Sequence, residues 1–227
     1  MRLRIAAMAV LALLAAGCTQ TITDRAEPTE VSWSDGAPKR VLVIDPDVEL
    51  SELTMGGVGE VRADWTKTGK DYLRRDIALT LAAKQIDTVD ANGLTDPHEI
   101  QLVKLHHAVG QAIVLNRLTP LPTKEQNFDW TLGPGAAALR DHYHSDYALF
   151  VVVRDSYSSS SRFALQVGLA MLGVGIPGGV QYGFASLVDL RSGRIVWFNQ
   201  MGNATGSLKE EKPAADAVAS LLEDLPL

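Results

Sequence analysis

Asp146-Tyr147-Ala148-Leu149-Phe150-Val151-Val152-Val153 is the most strand-like run of the chain and the centre of any sheet it can build. Its β-branched and aromatic side chains suit a strand, and Arg154-Asp155 is expected to end it. Working outward, Ser158 to Ser161 reads as a polar run at a turn. Residues 182–190 and 194–199 read as two strands joined by Arg191-Ser192-Gly193, with glycine at the hairpin turn. Lys212-Pro213 opens a last helix, running to about Leu225.

Upstream, Val41-Leu42-Val43-Ile44 is a continuous apolar run stopped by Asp45-Pro46, which suits a strand covered on both faces. A Gly-rich loop follows, Met55-Gly56-Gly57-Val58-Gly59. Asp64-Trp65-Thr66 then leads into a helix through about Gln85, amphipathic through Tyr72, Leu73, Ile77, Leu79 and Leu81. Asp87-Thr88-Val89 is a short strand. Asp96-Pro97 starts a helix, with Asp as cap and Pro at the first helical position. That helix reaches about Leu115 with a stripe of Ile100, Val103, Leu105, His106, His107, Val109 and Ile113. Residues 116–127 are loop-like, and a third helix covers 135–143. Asp-Trp-Thr precedes the first and the third helix, where a large apolar residue can act as a hydrophobic staple. No repeat of solenoid period occurs. The expected fold is an α/β (α+β) single domain: a mixed sheet, helices on at least one face, a C-terminal β-hairpin and a closing helix.

Residues 163–180 hold one strongly polar side chain, Gln166. The first reading is a buried core element. The second is a membrane-inserting β-segment, because Phe163, Leu165, Val167, Leu169 and Met171 alternate with smaller or polar residues. A membrane-spanning helix fits least, since five glycines and Pro177 interrupt the stretch. Gly173-Val174-Gly175-Ile176-Pro177-Gly178 matches G-x-G-x-x-G, but Pro177 and the strand-like residues after it deny the helix that a dinucleotide site needs. No cofactor is expected.

The N-terminus says where the chain works. Arg2 and Arg4 precede an uncharged apolar run that is too short to span a bilayer and ends in Leu14-Ala15-Ala16-Gly17-Cys18. Cys18 is the single cysteine. The segment resembles a bacterial lipobox, with Ala15 where Leu is preferred. The resemblance implies a signal peptide at 1–17 and lipidation of Cys18 with palmitate-type acyl chains. Residues 18–38 then read as lipidated cysteine and flexible tether, rich in Thr, Ser, Asp, Glu and Pro, with Trp33 able to pack onto the domain at 39–227. Thr19 is not Asp, which favours the outer membrane over inner-membrane retention.

The whole chain has 21 basic and 27 acidic residues, a formal charge of −6. Without Arg2 and Arg4 the balance is 19 against 27, or −8. An acidic chain without a basic cluster is a poor partner for nucleic acid. Membrane attachment must then come from the lipid. With Cys18 acylated, disulfides, thiolate metal sites and cysteine catalysis are excluded.

No nucleophile elbow, zinc helix or P-loop is present. His142 and His144 are the metal candidates, but they share a face only on a strand. On the expected helix they point about 200° apart, so no metal is expected. Asp45 and Asp47 flank Pro46 at the end of a strand, where α/β proteins place ligands, and they are the ligand-binding candidates beside a plain turn-forming role. No catalytic set converges.

The strand at 147–153, then the hairpin Ala185-Ser186-Leu187-Val188-Asp189-Leu190-Arg191-Ser192-Gly193-Arg194-Ile195-Val196-Trp197, resembles exported lipoproteins of the curli-secretion and penicillin-binding-protein-activator type. These share a fold with the TolB N-terminal domain. Asp129-Trp130-Thr131-Leu132-Gly133-Pro134-Gly135 looks like a signature of uncharacterised proteobacterial lipoproteins. The resemblance implies a partner-binding or self-associating domain beneath the outer membrane and transfers no catalytic residue. The expected function is therefore an outer-membrane-anchored periplasmic binding or assembly module. The rivals are an envelope hydrolase and an oligomeric secretion-type lipoprotein that inserts 163–180 into the membrane.

Overall fold

The computed structural model describes residues 20–25, 31–33, 40–91, 93–124, 128–203 and 206–227. The expected signal peptide and Cys18 lie outside them, as does most of the expected tether.

The long strand holds the sheet together. β6 (Tyr147–Ser158) is twelve residues long and runs past Arg154-Asp155, which were expected to stop it. Its first half lies parallel to β2 (Arg40–Ile44), with Val41 opposite Tyr147. Its second half lies parallel to β3 (Asp47–Leu53), with Asp47 opposite Val152. Pro46 therefore interrupts the strand rather than ending it, and the chain resumes beside the same neighbour at Asp47. A proline in that gap removes no ladder hydrogen bond. β3 turns back as β4 (Gly59–Val61). The sheet order is β1 (Gln20–Arg25), β8 (Ile195–Asn203), β7 (Gln181–Asp189), β6, β2, β5 (Asp87–Ala91), with β3 and β4 joined through β6. The parallel pairings are β2 with β5 and β6, and β3 with β6; the rest are antiparallel. The segment read as tether thus contains an edge strand, β1. Trp33 packs edge-on against Tyr147 with ring centroids 5.1 Å apart, and the Tyr147 hydroxyl donates to the Ser32 carbonyl at 2.8 Å.

Helices cover both faces. α1 (Ala63–Ala83) and α5 (Glu211–Leu221) bury Leu73, Ile77, Leu81, Val218 and Leu221 against Val41, Val43, Leu149, Val151 and Trp197. α2 (Pro97–Leu118) and α3 (Ala137–Tyr143), the latter entered through a 3-10 turn at Pro134–Ala136, bury Leu102, Ile113 and Leu139 against Leu42, Phe150, Phe184 and Phe198. Successive residues of β2 and β6 feed opposite cores, which is why the strands read as continuous apolar runs.

Several local expectations are corrected. Asp96 caps α2 as expected, accepting from the His98 and Glu99 amides. The buried face of α2 is Glu99, Leu102, His106, Gly110 and Ile113, however, and Leu105 is exposed. Leu79 on α1 is exposed too. Neither Asp-Trp-Thr acts as a staple. Trp65 lies inside the first turn of α1, its ring in cation–π contact with Arg62 and Lys209. Trp130 and Thr131 bridge to the hairpin instead: the Ile195 amide donates to the Trp130 carbonyl and the Leu132 amide to the Gly193 carbonyl.

The segment 163–180 is not buried core. It begins as a helix, α4 (Ser160–Ala170), capped by Ser159, and its second half has no regular structure. The two-residue period does not make a strand here. Among the described residues no helix is long and apolar enough to cross a membrane.

Candidate functional site

The interruption between β2 and β3 leaves Asp45 at the C-terminal end of β2 and Asp47 at the start of β3. A cavity of about 310 Å³ opens there, lined by Asp45, Asp47, Lys70 and Lys104 among others. Asp45 is held by Lys70 and Arg74, each at 2.7 Å. Asp47 lies 2.9 Å from the Arg154 guanidinium and 2.8 Å from His107 Nδ1. His107 Nε2 in turn meets Gln111 at 2.7 Å. Burial disfavours the Asp47 carboxylate, but Arg154 and then His107 more than offset it and hold its pKa below the ordinary carboxylate range. A carboxylate stabilised in this way is a poor general base. The cavity is built to hold charge in place, and a polar ligand entering it must compete with the lysine, arginine and imidazole partners already there.

The histidines disperse. His142 Nδ1 lies 2.5 Å from Glu99 Oε1, and Glu99 itself is buried in the first turn of α2. His144 sits one residue past α3 in the left-handed conformation, where it ends the helix. The two do not converge, and no group of three potential ligands gathers among the described residues. His106 is fully buried, stacked on Phe150 at 4.2 Å and 2.5 Å from the Ser186 hydroxyl. Desolvation, assisted by its neighbour His107, pushes its pKa down to about 3. It is a neutral core residue that seats α2 on the sheet.

One polar cluster escaped the sequence reading. Asp155 is 3% exposed near the end of β6, and one of its carboxylate oxygens accepts from the Tyr157 hydroxyl, from Gln181 Nε2 at 3.0 Å and from the Leu208 amide at 3.3 Å. Burial raises its pKa, partly countered by these bonds. The cluster floors a cavity of about 380 Å³ that Lys209, Phe163 and Gln166 also line. It pins β6, β7 and the turn before α5 together. Asp155 and Tyr157 stand two apart, on one face of a strand, and that spacing was the available signal. Because β6 was expected to end at Asp155, the signal was lost.

The most unusual surface lies just beyond. α4 turns Arg162 inward, 8% exposed, with Gln166 and Leu169 half-buried on the same face. Arg162 donates to the carbonyls of Pro177 at 2.9 Å and Met55 at 3.4 Å. Gln166 donates to Pro177 and to the Ser158 hydroxyl. The apolar Phe163, Val167, Met171, Leu172 and Val174 face outward, with Met171 82% exposed and Leu172 78%. The polarity is the reverse of that of a helix covering a core.

No protein-family model and no curated protein matches the chain. Solved structures do. A PelC dodecamer from Paraburkholderia phytofirmans matches with a TM-score of 0.43 at 11% identity, over 90% of this chain and 95% of that one. A dodecamer of a single-substitution variant of the same PelC gives 0.41 at 13%, over 91% and 95%. The LpoB C-terminal domain from Salmonella enterica gives 0.30 at 13%, over 74% and 86%. At these scores and identities the likeness carries no weight for function.

Proposed function

We propose that this chain is a lipoprotein domain, anchored through Cys18 to the periplasmic face of the outer membrane, that works as a binding or assembly module of the cell envelope and not as a catalyst. The observation that carries the reading is the division of polarity. The carboxylates of the β2–β3 crevice are bound to cations and to the His107 imidazole, while an apolar surface around Phe163, Met171 and Leu172 is left outside. Catalysis needs groups free to take or give a proton, whereas association needs exposed apolar surface. The lipobox-like segment supplies the address. Labelled palmitate should enter the wild type and not Cys18→Ser, and crosslinking in intact membranes should recover a partner protein or a second copy. A wild type that takes up no labelled palmitate overturns the anchor, and a wild type that crosslinks to nothing overturns the module. The hydrolase alternative rests on the Asp47–His107 contact beside a cavity. A hydrolytic activity abolished by Asp47→Asn would favour it.

A further inference from the structure

We propose that the end of the sheet carrying α4 and residues 171–180 is a membrane-seating face, resting on the same lipid leaflet that receives the acyl chains of Cys18. The inference rests on the anchored reading above and adds the orientation of the domain and the residues that touch lipid.

Strand register carries the argument. Gln20, where β1 starts, pairs with Gly202, which pairs with Tyr182, which pairs with Arg154. These four residues form one row across the sheet. Beyond that row, on the same side, β6 ends at Ser158 and leads into α4, and Val180 leads back into β7. The β3–β4 turn lies there too, since Leu53 pairs with Ser158. That turn exposes Met55 and Val58, and Arg162 ties it to the segment by donating to the Met55 carbonyl. Cys18 precedes Gln20 by two positions, so at most ~7 Å of chain separates them. An acyl anchor at Cys18 must therefore enter the bilayer beside this apolar end.

The composition fits a lipid surface. From Ser156 through Val180 there is no Asp or Glu, in a chain whose net charge is −6. The one charged side chain, Arg162, is turned inward onto backbone carbonyls. Eleven helical residues are too few to span a bilayer, but they suit a helix lying in the interface with its apolar side down. A second copy of the chain could also cover an apolar face. The nearness of the anchor favours lipid.

The test uses the lipidated full-length protein. Lipidation of Cys18 consumes the single thiol, so an introduced cysteine can be labelled alone. Leu172→Cys and, at the opposite end of the sheet, Arg191→Cys are labelled with a polarity-sensitive fluorophore and reconstituted in phosphatidylethanolamine–phosphatidylglycerol vesicles carrying nitroxide lipids. Quenching severalfold stronger at 172 than at 191 is expected. Equal quenching at the two positions in protein that floats with the vesicles overturns the seating face and leaves the anchor standing. Protein that does not float overturns the anchored reading and this inference with it. Unquenched but blue-shifted emission at 172 that disappears on dilution assigns the face to a second copy and overturns the proposal.

Discussion

The two ends of this sheet are finished in opposite ways. At one end, the hairpin between β7 and β8 turns through Gly193, and the chain at Trp130–Leu132 is hydrogen-bonded onto it. Asp189 accepts from the Arg191 amide and the Ser192 hydroxyl, so the turn is closed by its own polar groups. At the other end, α4 and the chain after it keep Arg162 and Gln166 underneath and present Phe163, Met171 and Leu172 to the outside. One end is complete within the chain. The other presents apolar side chains that no described residue covers.

The largest effect should come from the closed end. Gly193 has φ +73°, and a Cβ there would stand 2.0 Å from the Gly133 carbonyl oxygen, which is backbone and cannot swing away. Gly193→Ala should cost ~3 kcal/mol in denaturant unfolding, from left-handed strain plus the lost clasp. A cost under ~1 kcal/mol would mean that the clasp is loose and that the two ends are less different than described.

Between the ends, His106 ties α2 to the sheet and should make stability depend on pH. Its folded pKa is about 3 against an ordinary 6.5, so between those values the unfolded chain binds a proton that the folded chain does not. The contribution is therefore fully present above pH 6.5 and is lost as the pH drops toward 3, by at most ~1.4 kcal/mol per unit. Asp47, with its pKa lowered, adds a loss of the same sign at the acid extreme. His106→Gln should flatten the slope of stability against pH in urea titrations below the ordinary histidine pKa of 6.5. An unchanged slope would place the titrating group elsewhere.

The hairpin turn of the closed end was legible in the sequence, but the clasp of Trp130–Leu132 onto it was not, and the open end was legible only partly. Gly193 at a hairpin turn, Asp96 at a helix start and the apolar run at 147–153 each act through local geometry, which one sequence displays. β3 was missed although Val48 and Leu50 alternate with Asp47, Glu49 and Ser51, because Pro46 reads as a stop unless its place in a gap beside β6 is known. The segment 163–180 misled for another reason. Apolarity in a sequence does not distinguish a buried element from an exposed apolar one, and the two-residue alternation conceals Arg162, Gln166 and Leu169, which lie at helical spacing and mark the inward face. The two candidate aspartates stand on either side of the break, Asp45 just past β2 and Asp47 opening β3. Their cations Lys70, Arg74 and Arg154 come from distant parts of the chain that only the fold assembles.

The reversed polarity of α4 yields a pair of smaller effects whose order inverts the usual one. Arg162 satisfies two carbonyls from a buried position. Arg162→Ala should therefore destabilise by about 2 kcal/mol and expose residues 171–180 to protease. Phe163, its neighbour, is 62% exposed. Replacing it with Gln in the Cys18→Ser protein should change unfolding by less than ~0.5 kcal/mol. In an ordinary amphipathic helix the phenylalanine would matter more than the arginine, because burial of a ring outweighs a surface charge. If Phe163→Gln costs more than Arg162→Ala in the unlipidated protein, the ring is covered by the domain itself, α4 is an ordinary helix, and the contrast between the two ends fails.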